Sequence, residues 1–587
     1  MKAINYIKYN VFALLFVFVY TSCSLEVEPQ NEITLEKFWN EKVDVENILA
    51  GCYSTMQHEA ILSRMMIWGE FRSDNVVMRG TSLEKDRSLQ YVLTEQINTT
   101  NDYALWGDFY GIINRCNTVI HYAPQVADVD PSYKRSEVDA HIAEATALRS
   151  LMYFYLIRTF HNVPYTTEAY LDDNQESAVA PTDFYQVLDN CIQSLESVKG
   201  KAVKKYMTST YNRARITQCA INAMLCDMYL WKGDYQKCVE YADLVIDEKI
   251  QDAKESKSSE DYTPFYGYPL IKSASGNSVF GKAFNDIFVN GTSSESIFEL
   301  PFTGSQSDLC NGPASLFYGN DVDVAGYVIP SDYVGKDKDI HKLFINKLDG
   351  RLFESVRFNS SGSPTAINKY TLQRGVNLKM KSETVTSITD NSDFFTGGDW
   401  GSRYSGKYEN NNWISYSKAN WIIYRLADVM LLKAEALTQM ISTDELSTSE
   451  DIALRDKAFE LVNALERRAT YKTSLTSNDG LKVAEYSSKT AITNLVYDER
   501  QRELLFEGKR YYDLVRRTMR EGNTTYIRSK AQNKSTDYAS IIDSKMQKFD
   551  YIFWPYHQDE VKANPALEPY QNRAFPGEKE STKNTAE

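Results

Sequence analysis

Residues able to do chemistry are plentiful in this chain but poorly grouped. Its six histidines stand at 58, 121, 141, 161, 341 and 557, and no two fall at metal-ligand spacing. There is no Gly-rich phosphate loop, no Gly-x-Ser-x-Gly nucleophile elbow and no zincin helix motif. With 79 Asp plus Glu, an acid pair of the glycosidase kind is set by space and not by spacing, so sequence leaves it open. The densest charged run is DERQRELLFEGKRYYDLVRR, from Asp498 to Arg517. Arg500 with Glu503, and Arg502 with Glu499, lie within helical reach there, and Gly508 permits a break or a close backbone approach. Both signs interleave, so the run reads as an ion-pair network holding a long helix to its neighbours rather than as an anion site. Asp321 and Asp323 in DVDVAG would supply too few ligands for calcium on their own. The unusual entry is tyrosine, at 40 residues against 26 Phe and 8 Trp. Its flat apolar face and polar tip suit wet binding surfaces, although most of these rings are expected at core edges.

Cysteine chemistry is equally restrained. Lys2 and Lys8, the apolar run from Val11 to Tyr20, and the small residues Thr21 and Ser22 before Cys23 form a secretion signal of the lipoprotein type. Tyr20 stands where Leu is usual. Cleavage would leave Cys23 acylated, and several acyl chains at about 0.8 kcal/mol per buried methylene would hold the protein on a membrane. That removes one of eight Cys and leaves an odd seven, which excludes a full disulfide framework. Cys219, Cys226 and Cys238 lack paired zinc spacing and read as small buried hydrophobes.

The elements that must position any site are helical. The 587 residues carry a net charge of −14 with 43% hydrophobic residues, which excludes global disorder and disfavours nucleic-acid binding. Val138, Ile142, Ala145, Leu148, Met152 and Tyr155 form one helical stripe, ended at His161-Asn162-Val163-Pro164. Residues 212–248 read as a hairpin of two helices joined at Gly233-Asp234, similar to a tetratricopeptide unit. A second pair is expected at 421–469, its first helix carrying Ile422 to Met440. Further pairs are expected at 44–57 with 106–123 and at 138–160 with 183–198. Such hairpins must stack to bury their faces. From 252 to 418 the helical period fails, and stretches such as YTPFYGYPL and FFTGGDWGSRYSGKYENNNW are rich in Gly, Asn and aromatics. This part is expected to be irregular structure with short strands, such as Ser296 to Leu300, laid over the helices. The residues from Gly577 onward are expected to be disordered.

Seven collinear segments resemble the SusD/RagB family of outer-membrane nutrient-binding lipoproteins of Bacteroidota. They are SCSLEVEPQNEITLEKFW (22–39), IAEATALRSLMYFYLIRTFHNVPY (142–165), YNRARITQCAINAMLCDMYLWKGDY (211–235), SSESIFEL (293–300), YRLADVMLLKAEAL (424–437), YDERQRELLFEGKRYYDLVR (497–516) and YIFWPYHQDEVKANPALEPYQN (551–572). His161-Asn162 stands where the family's turn usually has Gly. The resemblance implies a mainly α fold of tetratricopeptide-like helix pairs with an irregular, loop-rich C-terminal half containing short strands. It divides the chain into a signal peptide (1–22), an N-terminal helical part (23–250), an irregular insertion (251–420), a C-terminal helical part (421–576) and a tail (577–587). It implies capture of an oligosaccharide at the cell surface without catalysis, no cofactor or metal, and hand-over to a TonB-dependent outer-membrane transporter. By position in the family, the ligand contacts would be Asp74, Asn75 and Arg79 in FRSDNVVMRG, with Tyr266, Tyr268, Tyr318, Tyr327, Trp400 and Tyr404 as stacking rings. A peptide-binding helical-repeat adaptor and a surface glycoside hydrolase are the competing classes.

Overall fold

The computed structural model describes residues 38–80, 86–172, 175–176, 178–256, 267–272, 282–303, 310–319, 326–335, 343–344, 349–358, 364–371, 417–470, 480–535 and 537–575. Cys23, expected to carry a lipid anchor, and the residues from 576 onward lie outside them, as do Asp321 and Asp323.

The frame is a row of helices, each packed on the next. α1 (Lys42–Gln57) leads into the short α2 (Glu59–Met66), and after strand β1 (Val76–Met78) come α3 (Gly107–Val129) and α4 (Arg135–Phe160). α5 (Phe184–Val198), α6 (Gln218–Lys232) and α7 (Tyr235–Glu255) continue the row. The hairpin expected at 212–248 is the α6–α7 pair. Thr217 starts α6 by accepting the Ala220 N–H at 3.2 Å, Gly233 ends it at φ +85°, and Asp234 starts α7 by accepting the Lys237 N–H at 3.1 Å. Only a residue without Cβ takes the left-handed conformation at no steric cost, which is why the turn carries Gly.

α4 is buried on nearly all sides past Leu148, as its apolar SLMYFYLI run requires. Its C-terminal turn takes a positive φ at His161 (+69°). The His161 ring sits 5.5 Å from Phe184 and 4.6 Å from Phe553, so aromatic packing offsets the backbone strain.

The irregular part crosses the row through β2 (Ser296–Leu300) and β3 (Val328–Pro330). The segment expected to open the next helical pair is split: Ile422 belongs to strand β4 (Trp421–Arg425), and the helix, α8 (Leu426–Met440), starts only afterwards. β4 pairs antiparallel with β2 along a bulged register from Ser296↔Arg425 to Leu300↔Trp421. Both strands are buried on both faces, so their apolar runs carry no alternation to separate them from a buried helix. α9 (Ser449–Ala469) and α10 (Lys489–Glu503) pack on α8 over a second apolar cluster of Leu431, Ala434, Leu461, Leu465 and Val496.

The charged run is two helices and not one. α10 stops at Glu503, the chain turns through Phe506 (φ +65°) and Gly508 (φ +69°), and α11 (Arg510–Glu521) begins. Its charges do form an ion-pair network. Arg502 pairs with Glu499 at 2.9 Å, whereas Arg500 reaches Asp428 (3.1 Å) and Asp513 (3.0 Å) and not Glu503. Arg425 holds Glu503 (2.7 Å) and Glu507 (2.8 Å), and Arg351 holds Glu499 (2.7 Å) and Asp349 (2.7 Å), all buried. The network fastens the irregular part to the helical row.

Seven cysteines, from Cys52 to Cys310, are buried free thiols. Among the described residues no helix is long and apolar enough to cross a membrane, and no group of three or more His, Cys, Asp or Glu is placed to hold a metal ion.

Candidate functional site

The loop after the first helices begins in an unusual turn. α2 widens into a π-helical turn at Ile67–Phe71, and its Gly69 lies so close to Gly508 that a Cβ there would stand 1.9 Å from the Gly508 carbonyl oxygen. The wide turn directs Glu70 inward. Its carboxylate accepts the Asn75 side-chain N–H (2.6 Å) and the backbone N–H groups of Phe506 (3.3 Å) and Gly508 (3.1 Å). Burial pushes the Glu70 carboxyl up to about 7, against the pull of those three donors.

The next residues continue this pattern. Arg72 pairs with Glu95 (2.8 Å) and donates to the carbonyls of Tyr551 (2.8 Å) and Ile552 (3.0 Å). Asp74 accepts Arg510 Nε at 2.9 Å and Nη2 at 3.1 Å. The Asn75 side-chain oxygen accepts from Gln501 at 2.7 Å. Asp74 and Asn75 are 0% exposed, and so is Tyr318, whose hydroxyl donates to the Phe506 carbonyl at 3.3 Å. These three, expected to touch ligand, are instead staples that fix the loop to α10 and α11. Their polar atoms face internal partners in this structure, so the proposed contact set does not count on them.

The chain surfaces at β1. Here β1 pairs antiparallel with β3, Val76↔Pro330 to Met78↔Val328, and the Arg79 N–H continues the ladder by donating to the Tyr327 carbonyl at 3.0 Å. The ribbon brings Arg79 and Tyr327, far apart in sequence, to adjacent half-buried places at the surface. Partial burial pulls the Arg79 guanidinium below its ordinary value, though an arginine stays charged. Tyr327 packs one side against Phe317, 6.4 Å between centroids.

Sequence reasoning missed a third member, Tyr103. It is half-buried, donates its hydroxyl to Asp86 at 2.6 Å, and lies within electrostatic range of Tyr327. Burial and the Asp86 carboxylate push its hydroxyl up. The available signal was local: Asn101 accepts the Tyr103 N–H at 3.1 Å and starts a one-turn 3-10 helix, a polar cap that presents the next aromatic.

Tyr268 is not brought to this cluster. It packs, half-buried, on the second apolar cluster under α8 and α9, where burial pushes its hydroxyl up to about 12. Tyr266, Trp400 and Tyr404 lie outside the described residues.

Arg79, Tyr327 and Tyr103 offer guanidinium donors and two aromatic faces. That set can stack on the C–H face of a ring and donate to its hydroxyls.

Comparison with known proteins agrees on the family. A model described as "SusD family" matches residues 252–577, and one described as "Starch-binding associating with outer membrane" matches residues 25–230. SusD-like protein P38 of Formosa agariphila is 25% identical over 583 residues, covering 97% of this chain and 99% of that protein. SusD-like protein P2 of the same organism is 24% identical and covers 88% and 92%. A solved SusD homolog from Bacteroides thetaiotaomicron superposes with a TM-score of 0.63 at 17% identity, covering 93% of this chain and 99% of that one. A solved laminarin-binding SusD-like protein gives 0.60 at 19% identity, with 92% and 100% coverage.

Proposed function

Because this chain belongs to the SusD family, we propose that it captures a neutral oligosaccharide at the cell surface and passes it unaltered to a TonB-dependent outer-membrane transporter. The observation that carries this reading is the β1–β3 ribbon, which sets Arg79 beside Tyr327 on a surface that staples beneath it hold rigid. The description of the N-terminal model and the laminarin-binding neighbour support a glycan as the ligand class.

In this reading Cys23 carries the lipid anchor to the outer membrane after removal of residues 1–22. Residues 23–250 and 421–576 form the frame on which the transporter sits, and 251–420 carry the ligand-facing coils. Arg79, Tyr327 and Tyr103 contact the glycan, joined by Tyr266, Trp400 and Tyr404. Two ring stacks at about 0.5–1.5 kcal/mol each and two charged hydrogen bonds at about 1.5–3 kcal/mol each sum to about 4–9 kcal/mol. The association cost is at least about 4 kcal/mol, so binding is weak, about micromolar to millimolar once further apolar burial is added. Weak binding suits a protein that must release what it holds.

Affinity electrophoresis of the mature protein through gels containing a polysaccharide panel tests capture: retardation by at least one neutral glycan is expected, and free migration through all of them refutes it. Co-purification of a large β-barrel from outer membranes tests the hand-over, and release of shorter sugars from the panel would instead indicate a hydrolase.

A further inference from the structure

A well-formed cavity of about 340 Å³ lies away from the ribbon. It lies between the first turns of α3, the segment after α4, and α12 (Gln558–Ala563) with the residues that follow it. We propose that it is a second, separate binding site for a single neutral sugar unit of one or two rings.

Its walls are preformed. Tyr110 donates its hydroxyl to the Pro164 carbonyl at 2.7 Å, and Asn114 both accepts the Tyr170 N–H (2.7 Å) and donates to the Tyr170 carbonyl (3.1 Å). Glu560 Oε1 accepts the N–H groups of Trp106 (2.9 Å) and Gly107 (3.0 Å), which closes the third wall on the start of α3. A ligand entering such a frame orders nothing, so little of its binding free energy is lost to reorganisation.

The lining also selects a chemical class. Trp106, Tyr110 and Tyr170 supply aromatic surface for the C–H face of a ring. Glu560 spends Oε1 on the backbone, and Oε2 makes no hydrogen bond among the described residues, which leaves an acceptor for ring hydroxyls. The Thr166 hydroxyl accepts the Glu168 N–H at 3.3 Å and keeps its own proton to donate. Among the described residues no Lys or Arg lines the cavity, and its one carboxylate disfavours sulfated and uronic sugars. The volume stands at the lower end of the range of about 300–1,000 Å³ for small-ligand sites, which fits one or two rings and not a chain.

The test is calorimetric titration of the mature protein with methyl glycosides of glucose, galactose, mannose and xylose, with glucuronic acid and glucose 6-sulfate as charged arms. At least one neutral glycoside binds, and the charged sugars do not. Ala563 is exposed on the rim, so Ala563→Trp plugs the opening without entering the core and weakens that binding by at least tenfold. Glu560→Gln keeps a carbonyl oxygen for the two backbone N–H groups and weakens it by about tenfold. A melting temperature within about 2 °C of the parent shows each variant folded. Absence of binding by all four neutral glycosides, or binding indifferent to both variants, overturns the proposal, as does preference for a charged sugar or for an apolar peptide side chain. The same titration on Tyr327→Ala separates the two sites. Binding that persists there belongs to this cavity, whatever becomes of the ribbon, and binding lost there belongs to the ribbon and overturns the second site.

Discussion

Asp74 distinguishes a ligand contact from a structural staple. Its carboxylate forms a two-pronged bond with Arg510 Nε and Nη2 at 2.9 and 3.1 Å, and the two side chains are 0% and 1% exposed. Asp74→Ala leaves a buried guanidinium without its partner, a change that costs about 3–5 kcal/mol. With about 2.1 cal/mol/K of unfolding entropy per residue, a mature chain of this size has about 1.2 kcal/mol/K in one cooperative transition, so the melting temperature should fall by about 3–4 °C. Adding Arg510→Met removes the stranded charge, and the double variant should melt above the sum of the single losses. Scanning calorimetry reads both. Affinity electrophoresis at a temperature well below the transition should show glycan retention close to that of the parent, because the carboxylate never reaches solvent. An unchanged melting temperature together with abolished retention would refute the reasoning and return Asp74 to the ligand set.

Other substitutions test the frame. Arg425→Met takes one cation from Glu503, which keeps Arg351 and Arg468, and one from Glu507, which keeps Lys369; weakening this buried network should cost about 1–3 kcal/mol by urea denaturation while leaving the helical circular dichroism signal intact in the absence of denaturant. Gly69→Ala places a Cβ 1.9 Å from a backbone oxygen that cannot swing away, so a loss of at least about 1–3 kcal/mol, or failure to accumulate as soluble protein, is expected. Glu70 gives a pH signature. With its carboxyl raised from 4.5 to about 7, the native state binds more protons than the unfolded state between those values, so its contribution to stability falls as pH rises through that window. Glu70→Gln lacks this term, and its stability relative to the parent should rise by up to about 3 kcal/mol between pH 4.5 and pH 7; a constant difference would contradict the raised carboxyl.

The helical frame was legible because its signals are local. The stripe from Val138 to Tyr155 and the Gly233-Asp234 turn each depend on residues within one or two turns, and each is where periodicity and turn chemistry place it. Ile422 was misassigned to a helix because a strand buried on both faces has no alternation to display. The charged run forms a network, and the break that Gly508 permits occurs between Glu503 and Arg510, so it holds two helices and not one long helix; most of its partners, such as Asp428 for Arg500 72 positions away, are invisible to local spacing. The site was legible only in part. FRSDNVVMRG runs from the buried staples to the proposed site at Arg79, and polarity alone cannot tell an inward Asp74 bonded to Arg510 from an outward one. Arg79 differs only in coming after β1, where the chain has reached the surface. Tyr103 escaped notice because its relation to Tyr327 exists only once the ribbon forms.

The ribbon is the proposed place of capture. Affinity electrophoresis of Arg79→Ala and Tyr327→Ala on whichever neutral polysaccharide retards the parent tests it most directly. Both side chains are half-buried at the surface, and a melting temperature close to that of the parent shows each variant folded. Loss of one ring stack, about 0.5–1.5 kcal/mol, predicts retention weakened about two- to twelvefold for Tyr327→Ala, and loss of a charged donor predicts at least tenfold for Arg79→Ala. Retention equal to that of the parent in both folded variants would contradict it.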